Sequence, residues 1–206
     1  MGCLVGFGDD TRAAVSYNCI EEEAKDVYSY MCFDDTGVSI SCILISPTAA
    51  AMFAAGMTGF YFTFSPVLYG YIRAIQQNHP VRHGIFLFAL ILEVLAMECT
   101  VLIPMTTTLT THVHSYAFKV WIYASAFVAI GLGITVLQGR LPGQNKHVLV
   151  GRMISMIVML SFMIVAFISR SLWKPMFRIA EYIALTQGIV FGIMIVGNGK
   201  IEYDGL

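Results

Sequence analysis

Five apolar runs, each long enough to cross a lipid bilayer as a helix, follow one another with only short polar breaks, over residues 43–72, 85–105, 117–138, 148–169 and 176–196. The hydrocarbon core of a bilayer is about 30 Å thick and takes roughly 20 residues of helix. No water is present there to satisfy a bare N–H or C=O, so a chain with this pattern is confined to helices that bond their own backbones. The expected fold is an all-α integral membrane protein, a bundle of about five transmembrane helices. Composition agrees. The chain is 57% hydrophobic and 12% charged, against roughly 25% charged for a soluble domain, and its mean hydropathy is +0.74. The first run is too long for an upright helix and holds Pro47 and Pro66, each without a backbone donor, so a tilted or broken span is expected there.

Charge divides the chain. Eight acids (Asp9, Asp10, Glu21, Glu22, Glu23, Asp26, Asp34 and Asp35) stand in the first 40 residues against Arg12 and Lys25 alone. Residues 1–42 are therefore read as an acidic N-terminal segment, 43–198 as the transmembrane bundle and 199–206 as a short tail. Lysine and arginine in short loops stay on the cytoplasmic side. Arg73 and Arg82 follow the first run, and Arg140, Lys146 and, at the edge, Arg152 follow the third, whereas the TTTLTTHVHSY stretch between the second and third has neither. These loops place the N-terminus in the lumen or outside and the C-terminus in the cytoplasm. Arg170, Lys174 and Arg178 then fall on the lumenal side, where they either snorkel to lipid headgroups or hold an anionic headgroup or an acidic partner. The net charge of −1 and the lack of a basic, aromatic-interleaved stripe exclude nucleic acid as a partner.

Glu93 and Glu98 lie well inside the second run. A carboxylate at that depth costs at least ~2.5 kcal/mol and faces a bundle interior or a wet cavity. Five positions apart on a helix is far from one face, so the two do not form a simple carboxylate pair. Either each hydrogen-bonds to neighbouring helices and fixes packing, or they line a polar cavity for a lipid headgroup or a proton. The stretch AAAMFAAGMTG of the first run and GLGIT of the third carry small residues that let helices approach closely.

Metal and nucleophile signals are weak. His112 and His114 point to opposite sides if that loop is extended, and His79 and His83 have i,i+4 spacing interrupted by Pro80, with no convergent third ligand. No metal and no cofactor is implied. Ser115 beside His114 is a bare neighbouring pair without a strained elbow. Gly2 and Cys3 invite lipidation, but Gly6 stands where the myristoylation pattern asks for Ser or Thr. The cysteines form no CxxC and, being five, cannot all pair within one chain. If the N-terminal segment is lumenal, Cys19, Cys32 and Cys42 are available to pair, with Cys32 and Cys42 a candidate disulfide.

Several pieces, in this order, resemble the FRAG/DRAM/SFK family of polytopic membrane proteins, which includes autophagy modulators, a Golgi factor that remodels lipid after GPI attachment, and suppressors of phosphatidylinositol 4-kinase defects. DDTGVSISC is similar to the first lumenal loop of the autophagy-modulator branch, and YGYIRAIQQ to the end of its following span. LILEVLAMECTVLIP and HVHSYAFKVW resemble the glutamate-bearing span and the next span's entry in the GPI-remodelling branch, here Glu93, His114 and Phe118. FRIAEYIALTQGIVFGI resembles the last span, with Glu181 and Tyr182. Two departures stand out: the family's first span has no counterpart, and the distance from Cys42 to Tyr71 is longer than usual.

The resemblance implies lipid remodelling, phosphoinositide-kinase scaffolding or trafficking in the endomembrane system, the endoplasmic reticulum or Golgi foremost. The expectation is a non-enzymatic protein that handles membrane lipid or organises a lipid-handling complex with a larger protein partner. Glu93, Glu98, His114, Arg170, Lys174, Arg178 and Glu181 are its candidate lipid or headgroup contacts. The alternatives are a membrane-embedded lipid-modifying enzyme, with Glu93 or Glu98 and His114 in acid–base roles, and a structural subunit of a larger membrane complex.

Overall fold

The computed structural model describes residues 47–76, 80–103, 108–139, 146–169 and 173–197. The acidic segment, the candidate Cys32–Cys42 disulfide, Arg170 and the C-terminal tail lie outside the described residues. Those described are all-helical: α1 (Pro47–Gln76), α2 (Pro80–Leu102), α3 (Thr108–Leu137), α4 (Lys146–Ile168) and α5 (Trp173–Gly197). All five helices are long and apolar enough to cross a membrane.

The prolines act as helix punctuation more than as breaks. Pro47 and Pro80 are the first residues of α1 and α2, where the missing N–H would have had no intrahelical partner and the fixed φ suits the turn. Of the two forms expected of the first run, tilted or broken, a break at Pro66 is not observed, and α1 runs through it for 30 residues. A membrane helix tolerates an interior proline because neighbouring groups and local adjustment satisfy the freed carbonyl. A second difference concerns TTTLTTHVHSY. The expected loop is largely the start of α3, helical from Thr108 onward. At its far end α3 closes on Gly139, whose φ of +68° is the left-handed cap that glycine adopts without strain, with its N–H donating to the Val136 carbonyl at 2.9 Å.

The chain divides into two compact units, one built on residues 1–58 and 96–119, the other on 59–95 and 120–206. In the first, Met57, Met97, Val101, Thr111 and His114 are buried. In the second, α1 contributes the stripe Tyr61, Phe64, Leu68 and Ile72, spaced three or four apart so that all lie on one helix face. Trp121, Ser125, Val128 and Leu132 of α3 and Leu149, Arg152, Met156 and Met159 of α4 make matching buried stripes. The buried methionines act as adaptable filling of this core.

Close approach in the second unit depends on small residues in α3. A Cβ on Gly133 would lie 2.6 Å from the Met153 Cβ, and one on Gly131 would enter the Phe86 ring. The expectation drawn from GLGIT is met. At the glycines of AAAMFAAGMTG, Gly56 and Gly59, no described atom lies within 4 Å of an added Cβ.

The outward faces are as apolar as the core. Along α2, Val81, Ile85, Phe88, Ile91, Leu95 and Leu102 are exposed, and at the end of α4 Phe167 is 93% exposed. This ordering, with apolar groups outside and an ionic pair within, is the reverse of what water selects.

Candidate functional site

The centre of the second unit is a buried ion pair. Glu93 of α2, at 0% exposure, and Arg152 of α4, at 1%, meet with Nη2 of the guanidinium 2.9 Å from Oε1 of the carboxylate. The same Nη2 donates to Ser125 Oγ of α3 at 3.0 Å. From the other side Tyr61 of α1 donates its hydroxyl to Glu93 Oε1 at 3.3 Å, and Trp121 of α3 donates its indole N–H to the Tyr61 oxygen at 2.7 Å. The Phe64 ring lies under the guanidinium, 5.1 Å from its centroid to Cζ. Helical spacing explains the convergence: Tyr61 and Phe64 are three apart on α1, and Trp121 and Ser125 are four apart on α3, so each pair shares a face.

The chain of donors therefore runs from Trp121 to Tyr61 to Glu93, and from Arg152 to both Glu93 and Ser125. It is incomplete. Glu93 Oε2 and Arg152 Nε and Nη1 are buried without a hydrogen-bond partner. A two-pronged arginine–carboxylate fork would have used these atoms. The one-pronged contact holds the pair while leaving bonding capacity unused. Each unsatisfied buried group costs about 1–3 kcal/mol.

Glu98 belongs to the first unit. The Thr58 hydroxyl lies 3.0 Å and 2.9 Å from its two carboxylate oxygens, so one O–H donor is shared between them. Thr58→Val keeps the shape and removes this donor. The expected result is a loss of about 1.5–3 kcal/mol in unfolding free energy, the range for hydrogen bonds to charged groups. Denaturant titration in detergent checks it, and an unchanged midpoint would mean that the contact carries no stability.

His114 is also in the first unit, buried, with Nδ1 3.3 Å from the Ile103 carbonyl. Because this stretch is helical, His112 two positions earlier faces outward and is exposed. Arg178 and Glu181, three apart on α5, are both buried. Arg178 is thus held within the protein. Lys174 lies in α5, and its side chain falls outside what is described. Among the described residues no three His, Cys, Asp or Glu converge on a metal position.

The residue that sequence reasoning missed is Arg152. The sequence alone presents it as a cytoplasmic loop charge at the edge of the fourth run, but it sits in the second turn of α4, buried and paired with Glu93 through Nη2 alone. Orientation by loop charge therefore rests on Arg73, Arg82, Arg140 and Lys146. A signal was present: one arginine and one glutamate, each embedded in apolar sequence, find one another because neither tolerates that setting alone. Tyr61, Trp121 and Ser125 carried no such mark.

Comparison with protein-family models, with curated proteins and with solved structures found no match for this chain.

Proposed function

We propose that this chain is a five-span integral membrane protein of the endomembrane system, with a lumenal N-terminus and a cytoplasmic C-terminus. It has no catalysis of its own and handles lipid or scaffolds a lipid-handling complex. The observation that carries the reading is the reversed ordering described above. Large apolar side chains stand exposed on every helix, among them Phe62, Phe88, Tyr123, Phe167 and Ile193, while the Glu93–Arg152 pair is sealed inside. Large apolar side chains exposed in this number mark contact with lipid or with other membrane helices.

The sealing also favours a non-catalytic role. An acid–base carboxylate works within about 3 Å of the reacting atom, directly or through one water. Glu93 is closed off by Tyr61, Arg152 and the surrounding core. The sequence resemblance supplies the lipid-handling part of the reading, and the short polar connections leave recognition of soluble components to a larger partner.

Carbonate extraction of membranes from cells expressing the full chain, with protease protection of tags at the two termini, tests the membrane part. The protein is expected to stay in the pellet, with only the C-terminal tag cleaved in sealed microsomes. Purification in mild detergent with mass spectrometry of proteins and lipids tests the rest. Recovery of the chain alone, with neither a stoichiometric protein partner nor a selected lipid, would sink the lipid-handling reading.

A further inference from the structure

The second unit carries an open crevice of about 220 Å³ between the first turns of α2 and the last turns of α3. Its walls are Ile85 and Phe86 on one side and Phe127, Gly131 and Ile134 on the other. Phe86 and Phe127 meet at 5.6 Å between ring centroids and line its apolar end. Thr135 also lines it, but its hydroxyl donates back to the Gly131 carbonyl at 2.7 Å, so that group is already used. The polar groups left among the described lining residues are Arg82 and Gln138, both exposed and both at the outer helix ends.

Dimension and charge together specify an occupant. From Phe127 to the end of α3 the helix rises about 15 Å at 1.5 Å per residue, half of a hydrocarbon core about 30 Å thick. A slot of one leaflet's depth, apolar inside and headed by a permanent cation, matches one acyl chain beneath a phosphate. Its volume falls below the roughly 300–1,000 Å³ of sites that enclose a whole small molecule, as suits a site that holds part of one. Exposed Arg73 and Lys146 of the same unit add positive charge, and the described acids are Glu93, Glu98 and Glu181, none of which lines the crevice.

We propose that the α2–α3 crevice binds an anionic glycerophospholipid, with one acyl chain along Phe86, Phe127 and Ile134 and the phosphate on Arg82 and Gln138. This rests on the membrane reading given above, and on that orientation the site opens to the cytoplasmic leaflet, where anionic lipids are enriched.

Native mass spectrometry of the full chain in detergent, offered equal amounts of dioleoyl phosphatidylserine and dioleoyl phosphatidylcholine, reads the preference directly. Phosphatidylserine is expected to be retained preferentially. Arg82→Gln should lower that preference by roughly fivefold, the worth of one arginine at an anionic surface, and Arg73→Gln, outside the crevice, should leave most of it. Ile134→Trp, at an exposed position, should fill the slot and lower retention of both lipids. Millimolar inorganic phosphate should not displace the bound lipid, and displacement would overturn the acyl-chain half of the proposal. Equal retention of the two lipids, or an unchanged preference in Arg82→Gln, would overturn the headgroup half. A chain washed from membranes by carbonate would remove the membrane reading itself, whereas a chain that stays in the membrane but shows no Arg82-dependent preference removes this site alone.

Discussion

Glu93→Leu is expected to lower the unfolding free energy by about 3–5 kcal/mol, because it leaves the Arg152 guanidinium buried without its counter-charge. Arg152→Met should fall in the same range, because it leaves the Glu93 carboxyl group buried with only the Tyr61 hydroxyl as a donor. The double variant, Glu93→Leu with Arg152→Met, should recover most of the loss, since an apolar pair of similar volume removes both desolvation costs at once. Equilibrium unfolding in detergent, followed by Trp121 fluorescence in a Trp173→Phe background, measures all three, and only these two tryptophans are present in the chain. The indole of Trp121 donates into the same network, so its emission should report the repacking even where the fold survives. Additive losses in the double variant would show that the pair does not act as a unit.

The second large effect is steric. Gly133→Leu places a Cβ 2.6 Å from the Met153 Cβ and 2.7 Å from its sulfur. The sulfur can swing aside. The Cβ is fixed to the α4 backbone and moves only if α3 and α4 part. Overpacking of a filled core costs about 1–3 kcal/mol and sometimes more, and separating the helices would also strain the nearby Arg152 contact to Ser125. Gly59→Leu is the control, since nothing lies within 4 Å of its added Cβ. The expected result is a clear fall in thermal midpoint for Gly133→Leu and a small change for Gly59→Leu. Equal shifts would refute the account of a close helix approach.

Much of this architecture could be read from the apolar runs, because membrane-length helices announce themselves by length and composition alone. The expected spans overlap all five observed helices, displaced at their ends by up to nine residues, as at the start of α3. The difference has a physical origin: Thr108 to Ser115 is polar enough to leave a bilayer and so reads as loop, although a helix need not end where the apolar sequence does. Glu93 stood out because a lone acid in apolar surroundings is costly, and the same reasoning applied to Arg152 would have joined them. What could not be read was which polar neighbours complete the pair. Tyr61, Trp121 and Ser125 are ordinary residues in membrane sequence, and only the register of four packed helices brings them to the pair. The crevice headed by Arg82 was hidden for a related cause, since Gly131 matters there through the side chain it lacks.

The one-pronged ion pair also sets a schedule for making the protein. Glu93 and Arg152 are 59 residues apart, and a ribosome adding 5–20 residues per second leaves the acid without its base for roughly 3–12 s. On the membrane reading proposed above, α2 enters the bilayer during that interval with its carboxyl group unpaired, and the partner comes only with α4. The pair thus ties the order in which the chain is made to a contact in the finished fold.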